Sequence, residues 1–283
     1  MTREEQLQHL IVNALDEDIG DGDHSTLSTI DATVNGKAIL KIKQDGILAG
    51  VEVAEKIFRH MEPGVTFVAH KNDGSVMKFG EQAFTINARV HTILKCERLV
   101  LNCMQRMSGI ATLTNQYVQK LAPFTTKLLD TRKTTPNFRL LEKEAVKIGG
   151  AVNHRFGLYD MIMLKDNHID YCGGIENAIN KAYDYVQTQQ QGLKIEVETR
   201  SLKDVEIALN TGKVNRIMLD NFTPSLIFEA VKMIDGSVET EASGGINLQN
   251  LEDFAATGVD YISSGSIIHQ ATSLDLSLKA AIQ

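Results

Sequence analysis

The stretch from Lys194 to Asp220 decides the fold, and it reads KIEVETRSLKDVEIALNTGKVNRIMLD. Two short segments at its ends, Lys194–Val197 and Arg216–Leu219, are candidate strands. Residues Leu202–Leu209 between them have the apolar spacing of a helix. A strand, a helix and a second strand in this order predict two parallel strands joined by a helical crossover.

The same order of elements extends from Pro123 towards the end of the chain. Four more candidate strands and one more helical pattern are Lys127–Leu129, Met161–Leu164, Val238–Glu241, Asp260–Ser263 and Leu248–Ala256. Such alternation predicts an α/β barrel or an open parallel sheet. No GxGxxG motif follows the first of these strands, which argues against a dinucleotide-binding sheet.

The first part of the chain has a different pattern. Thr2 and Glu5 have the spacing of a helix capping box. Alternating segments such as Ala38–Ile42 and Val65–Val68 predict antiparallel strands, and a long helical stretch runs from about Ile93 to Leu121. We therefore predict an α+β sandwich with a linking helix over residues 1–122 and an α/β barrel over residues 123–283. The alternative for the last helical residues is that the chain returns to the first domain there.

Composition limits the classes of function. The chain has 283 residues, 43% of them hydrophobic, and a net charge of −7, which argues against nucleic acid as a partner. The N-terminus lacks the pattern of a signal peptide, and no apolar run approaches the length of a membrane span. The three cysteines show no CxxC spacing, so we expect reduced thiols, a cytoplasmic location and no membrane partner.

Positive charge is concentrated in residues 130–168. Asp130–Pro136 reads DTRKTTP, Asn153–Arg155 reads NHR, and Lys165–His168 reads KDNH. An acidic protein has no folding reason to gather cations in one segment. A small polyanionic substrate would explain them, because arginine binds carboxylates bidentately and lysine suits phosphate oxygens.

Polar and small residues also follow the predicted barrel strands where each strand ends. They are Arg132, Lys133, Lys165, Glu198, Asp220 and the turns Ser243-Gly244-Gly245 and Ser264-Gly265-Ser266. Barrel enzymes build their active sites at the carboxyl ends of the strands, and the turns after the last two strands often hold a phosphate. The sequence therefore predicts an active site for an anionic substrate at this end.

The run from Asp130 to Ile169 resembles the quinolinate phosphoribosyltransferase family. The resemblance continues through Glu17–Asp23, Glu97–Asn102 and Ser108–Thr112. It implies an N-terminal α/β sandwich followed by a TIM-like barrel with fewer than eight strands. It also implies Mg²⁺-dependent transfer of phosphoribose from phosphoribosyl pyrophosphate to quinolinate with decarboxylation, giving nicotinate mononucleotide, pyrophosphate and CO₂ for NAD biosynthesis.

The resemblance also assigns expected roles to single residues. Arg98, Arg132 and Arg155 would line the quinolinate site with His154, Lys133 and Lys165 close by, and Glu198 and Asp220 would hold ribose hydroxyls or Mg²⁺. In the family the arginine that matches Arg98 comes from a neighbouring subunit, so we expect a homodimer with shared active sites, or a larger homo-oligomer that contains it. The residues expected to take part in catalysis are Lys133, Lys165, Glu198 and Asp220, and those expected to present backbone N–H groups to the 5-phosphate are Ser243, Gly244, Gly245, Ser264 and Gly265.

Several points stay open at this level. Glu196 points to the same strand face as Glu198 and is an alternative for its role. The role of His154 is undecided, and His168 is more simply a cap than a catalyst. Asn137 stands where the family commonly has Gly, and Asn tolerates a positive φ. Two alternative functions stay open. One is a paralogous phosphoribosyltransferase with another acceptor, either that of a molybdenum-associated relative or nicotinate. The other is a non-catalytic metabolite sensor.

Overall fold

The computed structural model of the chain describes residues 1–189 and 192–281. Its strands are β1 (Asn35–Ile42), β2 (Gly46–Ile47), β3 (Thr66–Ala69), β4 (Val76–Met77), β5 (Gln82–Arg89), β6 (Lys127–Leu129), β7 (Ile162–Leu164), β8 (Ile195–Thr199), β9 (Arg216–Asp220), β10 (Glu239–Ser243), β11 (Tyr261–Ser263) and β12 (Leu276–Ala280). Its helices are α1 (Arg3–Ile19), α2 (His24–Thr29), α3 (Val51–Met61), α4 (Val90–Leu121), α5 (Arg139–Ile148), α6 (Asp166–Cys172), α7 (Ile175–Thr188), α8 (Leu202–Thr211), α9 (Pro224–Ile234), α10 (Leu251–Ala255) and α11 (Ser266–His269). The mixed α/β class predicted from the sequence is confirmed, and the predicted barrel strands agree with the observed ones to within one or two residues.

The chain forms two compact units. The first contains residues 1–115, 134–150 and those from Ile267 onward, and the second contains residues 116–133 and 151–266. The boundary predicted from the sequence, between residues 122 and 123, put segment 134–150 in the second domain and left the last residues as candidates for a return to the first. The last residues form strand β12 instead of a helix, because Leu276 and Leu278 alternate with Ser277 and pair antiparallel with β1. Two segments that follow the predicted boundary, residues 134–150 and the last residues, therefore group with the first unit.

The first unit is built on an antiparallel sheet with strand order β12-β1-β5-β3. Helix α3 packs on it through Phe58, whose ring centroid lies 6.2 Å from that of Phe84 on β5 and 6.4 Å from that of Phe67 on β3. The predicted capping box at Thr2 and Glu5 is present at the start of α1. Aromatic packing on one face of the sheet thus gives this unit its own core.

The second unit is built on a six-stranded sheet in which every pair of neighbouring strands is parallel. Its order is β6-β11-β10-β9-β8-β7, and a single bridge from Leu129 to Val152 extends the β6 edge. Helices α7, α8 and α9 bury apolar faces that include Ile179, Val205 and Ile227. Within the described residues, no helix combines the length and the apolar composition needed to cross a membrane.

Candidate active site at the carboxyl ends of the parallel strands

The parallel sheet is curled, and this curl brings its inward side chains together. His154 lies two residues after the Val152 bridge at one edge, and Glu196 lies on β8, five strand spacings away. In a flat sheet these positions would be about 24 Å apart, at roughly 4.8 Å per strand. The Nε2 atom of His154 is 2.9 Å from Oε2 of Glu196. The sheet therefore closes towards a barrel, as the sequence predicted.

Arg132 and Arg155 form the cationic part of the site. Both are half-buried in the second unit, Arg132 after β6 and Arg155 after the Val152 bridge. Burial and the repulsion from Arg132 lower the pKa of Arg155, and Nη1 of Arg155 donates to the Met161 carbonyl at 3.2 Å. Two arginines that repel each other in partial burial are stabilised by a bound anion. This arrangement favours a carboxylate ligand.

Lys165 and Glu198 form an ion pair at the carboxyl end of neighbouring strands. Nζ of Lys165, directly after β7, lies 3.2 Å from Oε2 of the buried Glu198 on β8. Asp220 ends β9 on the adjacent strand and is half-buried. His168 accepts the backbone N–H of Lys165 at 3.0 Å, so it is a cap on α6, as expected. Of the two acids on β8, Glu198 lies beside Lys165, whereas Glu196 is fully buried and lies beside His154.

The glycine turn after β10 packs against the turn after β9. Gly244 has φ +100°, and a Cβ atom there would lie 2.2 Å from Oδ1 of Asn221. The N–H of Asn221, itself at φ 57°, donates to the Ser243 carbonyl at 2.8 Å. Gly245 also has a positive φ, of +64°. Only glycine at position 244 permits this close approach of the Asn221 side chain to the turn.

The turn after β11 uses its hydroxyl groups internally. The Ser264 hydroxyl contacts the Ile246 carbonyl at 3.0 Å and the Ser266 hydroxyl at 2.6 Å, and Tyr117 contacts Ser266 at 2.8 Å. Gly265 lies between these two serines. Any contact of Ser264 and Gly265 with a phosphate would therefore be made by the backbone.

One layer below the strand ends, the barrel interior contains a buried group of charges. Arg216 on β9 contacts Glu241 on β10 at 3.1 Å and Glu239 at 2.9 Å, and its guanidinium lies 4.2 Å from the ring centroid of Tyr261. Burial and the charge of Glu241 raise the pKa of Glu196. Burial opposes the ionisation of Glu241 too, but its contacts with His154 and Arg216 keep the pKa of Glu241 lowered.

His154 connects this buried layer to the cationic part of the site. Its Nε2 atom lies 2.9 Å from Glu196 and 3.2 Å from Glu241, and these carboxylates act to raise the pKa of His154 against the effect of burial. Its Nδ1 atom accepts the backbone N–H of Arg155 at 2.7 Å, and this contact opposes a second proton on the ring, because that proton would point at the N–H. The hydrogen-bond geometry therefore favours the form protonated on Nε2 alone.

Three ligand-type groups, His154, Glu196 and Glu241, lie close enough in this layer to resemble a metal centre. The guanidinium of Arg216 already supplies a positive charge 3.1 Å from Glu241 and 3.9 Å from Glu196. Protons bound by this cluster balance the remaining negative charge, and they do so at a lower desolvation cost than a second buried cation would. We therefore assign no metal to this layer.

The remaining predicted residues lie as follows. Lys133 is exposed and follows Arg132 in the second unit, and its N–H donates to the Thr131 hydroxyl at 3.1 Å. Arg98 is exposed on α4 in the first unit. Asn137 has φ 61°, which confirms that asparagine supports the turn where the family commonly has glycine. The structure thus groups Arg132 with Arg155 and Lys165 with Glu198.

Sequence reasoning missed Asp130, Arg216 and Glu241 as parts of this region. Asp130 is fully buried and its Oδ1 atom accepts the N–H of His154 at 2.8 Å. The other two could have been found from the alternation of side chains along a strand. Arg216 lies on the same strand face as Asp220, and Glu241 lies on the same strand face as Ser243. These three residues build the floor and the edge of the site.

Comparisons with known proteins agree with this geometry. Residues 23–108 match the N-terminal domain of quinolinate phosphoribosyl transferase, and residues 110–279 match its C-terminal domain. A curated quinolinate phosphoribosyltransferase [decarboxylating] 1b from Nicotiana tabacum is 42% identical over 96% of this chain and 82% of its own length. A probable nicotinate-nucleotide pyrophosphorylase [carboxylating] from Bacillus subtilis is 41% identical over 98% and 94%. The crystal structure of NadC from Streptococcus pyogenes superposes with a TM-score of 0.92 at 40% identity, covering 100% of this chain and 99% of that one.

Proposed function

The chain belongs to the quinolinate phosphoribosyltransferase family, and from this we propose that it transfers phosphoribose from phosphoribosyl pyrophosphate to quinolinate with loss of CO₂. The products are nicotinate mononucleotide, pyrophosphate and CO₂, which places the enzyme in NAD biosynthesis. Both substrates are small anions, and the site residues described above lie at the strand ends where barrel enzymes bind such molecules.

The observation that carries this proposal is the placement of Arg132 and Arg155, which are both half-buried and each lie three residues after the bridged pair Leu129 and Val152. Quinolinate has carboxylates on adjacent ring carbons, and each guanidinium can bind one of them through two parallel hydrogen bonds. A monocarboxylate would leave one guanidinium without a ligand, which costs affinity. The exposed Lys133 beside them adds positive charge for a doubly anionic acceptor or for a phosphate.

The transfer step needs stabilisation of positive charge on the ribose. The lone pair of the pyridine nitrogen forms a bond to C1 of the ribose while the bond from C1 to pyrophosphate breaks. Glu198 supplies a fixed carboxylate for the developing ribosyl cation, and Lys165 holds that carboxylate in place at 3.2 Å. We assign the ribose hydroxyls to Asp220, which ends the next strand.

Mg²⁺ is the cation that the donor set favours. Glu198 and Asp220 offer carboxylate oxygens at adjacent strand ends, and Mg²⁺ commonly binds one or two carboxylates together with substrate phosphates and water. When bound there, the ion would neutralise the departing pyrophosphate. Ser243, Gly244 and Gly245, together with the backbone of Ser264 and Gly265, would hold the 5-phosphate.

The decarboxylation uses the ring that the first step creates. After the transfer, the ring nitrogen is positively charged and draws electrons from the neighbouring carbon. The bond from that carbon to its carboxylate breaks, CO₂ leaves, and the remaining electron pair takes up a proton from water. The guanidinium that binds the other carboxylate keeps its ligand, because that carboxylate stays on the ring, and it holds the mononucleotide in place between the two steps.

The proposed assembly is a homodimer in which Arg98 of one chain reaches the barrel of the other. Arg98 is exposed on α4 and has a guanidinium suited to a carboxylate. A larger homo-oligomer that contains this dimer is compatible with the same sharing.

The test is an incubation of the protein with quinolinate, phosphoribosyl pyrophosphate and Mg²⁺, with nicotinate as the parallel acceptor and EDTA as the metal control. We expect nicotinate mononucleotide, pyrophosphate and CO₂ in equal amounts from quinolinate, and a far lower yield from nicotinate. Turnover of nicotinate alone would replace the dicarboxylate assignment, and full activity in EDTA would remove Mg²⁺ from the proposal.

A further inference from the structure

The buried layer of the barrel makes a continuous series of contacts that ends at Arg155. Arg216 contacts Glu241 at 3.1 Å, Glu241 contacts Nε2 of His154 at 3.2 Å, and Nδ1 of His154 accepts the Arg155 N–H at 2.7 Å. Glu196 contacts the same Nε2 atom at 2.9 Å. Each contact lies inside the second unit, and Glu196 and Glu241 are fully buried.

His154 is placed by contacts to its ring and to its backbone. The two carboxylates on β8 and β10 lie within 3.2 Å of Nε2, and Asp130 accepts the backbone N–H of His154 at 2.8 Å. With the residue placed in this way, its Nδ1 atom accepts the backbone N–H of Arg155 and so sets the direction in which the Arg155 side chain begins. Positioning of this kind matters because a misplacement of about 1 Å in a binding group can cost about a hundredfold in rate.

We propose that Glu241 and Glu196 are positioning residues that act through His154 to aim Arg155 at one carboxylate of the acceptor. The inference rests on the proposed function, because it names the acceptor as an aromatic 1,2-dicarboxylate. In this arrangement Arg132 binds one carboxylate and the fixed Arg155 binds the other. Loss of the positioning contact therefore weakens recognition of the second carboxylate and leaves the phosphoribosyl pyrophosphate site intact.

The first experiment compares Glu241→Gln with the matched control Glu239→Gln. Both glutamates lie on β10 and contact Arg216, but of the two only Glu241 contacts His154 in the described structure. For Glu241→Gln we expect the KM for quinolinate to rise about tenfold or more, while the KM for phosphoribosyl pyrophosphate stays within about twofold. Glu239→Gln should change neither, and equal rises in both KM values for Glu241→Gln would overturn the proposal.

The binding of non-reacting acids separates this proposal from the proposed activity. Phthalate has the two adjacent carboxylates without the ring nitrogen, and benzoate has one. By calorimetry, Glu241→Gln should lose most of the preference of the wild type for phthalate over benzoate. Wild-type protein without any preference for phthalate would contradict the proposed acceptor, whereas an unchanged preference in an otherwise active Glu241→Gln variant would contradict the positioning role alone.

A double-mutant cycle tests whether Glu241 acts through Arg155, and a spectroscopic measurement on wild-type protein keeps the proposal testable if Glu241→Gln folds poorly. If Glu241 acts through Arg155, Glu241→Gln should add little to the effect of Arg155→Lys, because both changes weaken the proposed binding of the second carboxylate by Arg155. In wild-type protein labelled with ¹⁵N-histidine, His154, assigned by the loss of its signal in His154→Gln, should carry its proton on Nε2 with Nδ1 as an acceptor. Additive effects in the cycle, or a proton on Nδ1, would overturn the proposal.

Discussion

Lys165 and Glu198 show how a single ion pair can serve catalysis. The Lys165 ammonium is about half exposed, while the Glu198 carboxylate is almost fully buried. The ion pair at 3.2 Å holds the Glu198 carboxylate in one position. It therefore fixes this side chain where we expect the ribosyl cation to form.

Glu198→Gln should lower kcat about a hundredfold and leave both KM values within about threefold, because the carboxylate acts on charge that develops in the transition state. Steady-state kinetics with both substrates measure this. The exposed Glu206 on α8 gives the control Glu206→Gln, which should behave as wild type. An unchanged kcat would remove Glu198 from the transition state and return the role to Glu196.

Most of the candidate residues could be predicted from the sequence. Both the resemblance to the family and the positions of the predicted strands indicate residues at the carboxyl ends of strands. Arg155, Lys165 and Glu198 were found in this way. Arg216 and Glu241 were not, because their partners depend on the curl of the sheet, which no local pattern encodes. His154 was assigned to substrate from the resemblance, and its ring nitrogens contact protein groups in the structure.

At the scale of elements, Glu62 joins the end of α3 to the junction of β5 and α4. It accepts the Thr92 hydroxyl at 2.6 Å and the Arg89 N–H at 3.2 Å, and it lies 3.3 Å from Nε of Arg89. Burial acts to raise the pKa of Glu62, but these hydrogen bonds outweigh it, so the pKa is lowered in the folded state.

A carboxylate with a lowered pKa stabilises the fold above its unfolded pKa, near 4.5, and this stability is lost as pH falls through the folded pKa. Glu62→Gln should therefore lower the free energy of unfolding by about 1 kcal/mol at pH 7 and by less below pH 4. Urea unfolding at several pH values measures this. Glu55→Gln, which removes an exposed pair with Arg59 on the same helix, is the control. A loss that is equal at all pH values would show that charge plays no part.

The elements that the sequence predicted best are those with a strong local signal. The barrel strands have compact apolar runs, and α4 has a long helical period. Strand β12 was missed because Leu276, Ser277 and Leu278 are a short alternation that becomes a strand only when β1 provides its hydrogen-bonding partner. The same limit applies to segment 134–150, whose grouping with the first unit depends on contacts distant in sequence.

At the scale of the whole molecule, the proposed sharing of active sites has a direct test. Arg98→Ala and Glu198→Gln should each abolish most activity alone. In randomly reassorted mixed dimers, one barrel combines its own intact Glu198 with an intact Arg98 from the other chain. About a quarter of the wild-type activity should therefore return on mixing, since half of the dimers contain one complete site of two.

The control for this mixing experiment is Glu198→Gln with Lys165→Ala. Both changes lie in the same barrel, so no mixed dimer contains a complete site and activity should stay absent. Differently tagged chains and copurification show that mixed dimers have formed. Copurified dimers of Arg98→Ala and Glu198→Gln without activity would contradict the contribution of Arg98 across the dimer.

The pairing of β12 with β1 also affects how the chain emerges from the ribosome. Strand β1 is synthesised early, yet its partner on one side follows only after the entire second unit has been translated. Until then the nascent first unit presents an open strand edge, the kind of surface that recruits other strands and leads to aggregation. The order of synthesis thus delays completion of the first unit's sheet until β12 has been translated. We expect chaperones that shield strand edges to matter most during that interval.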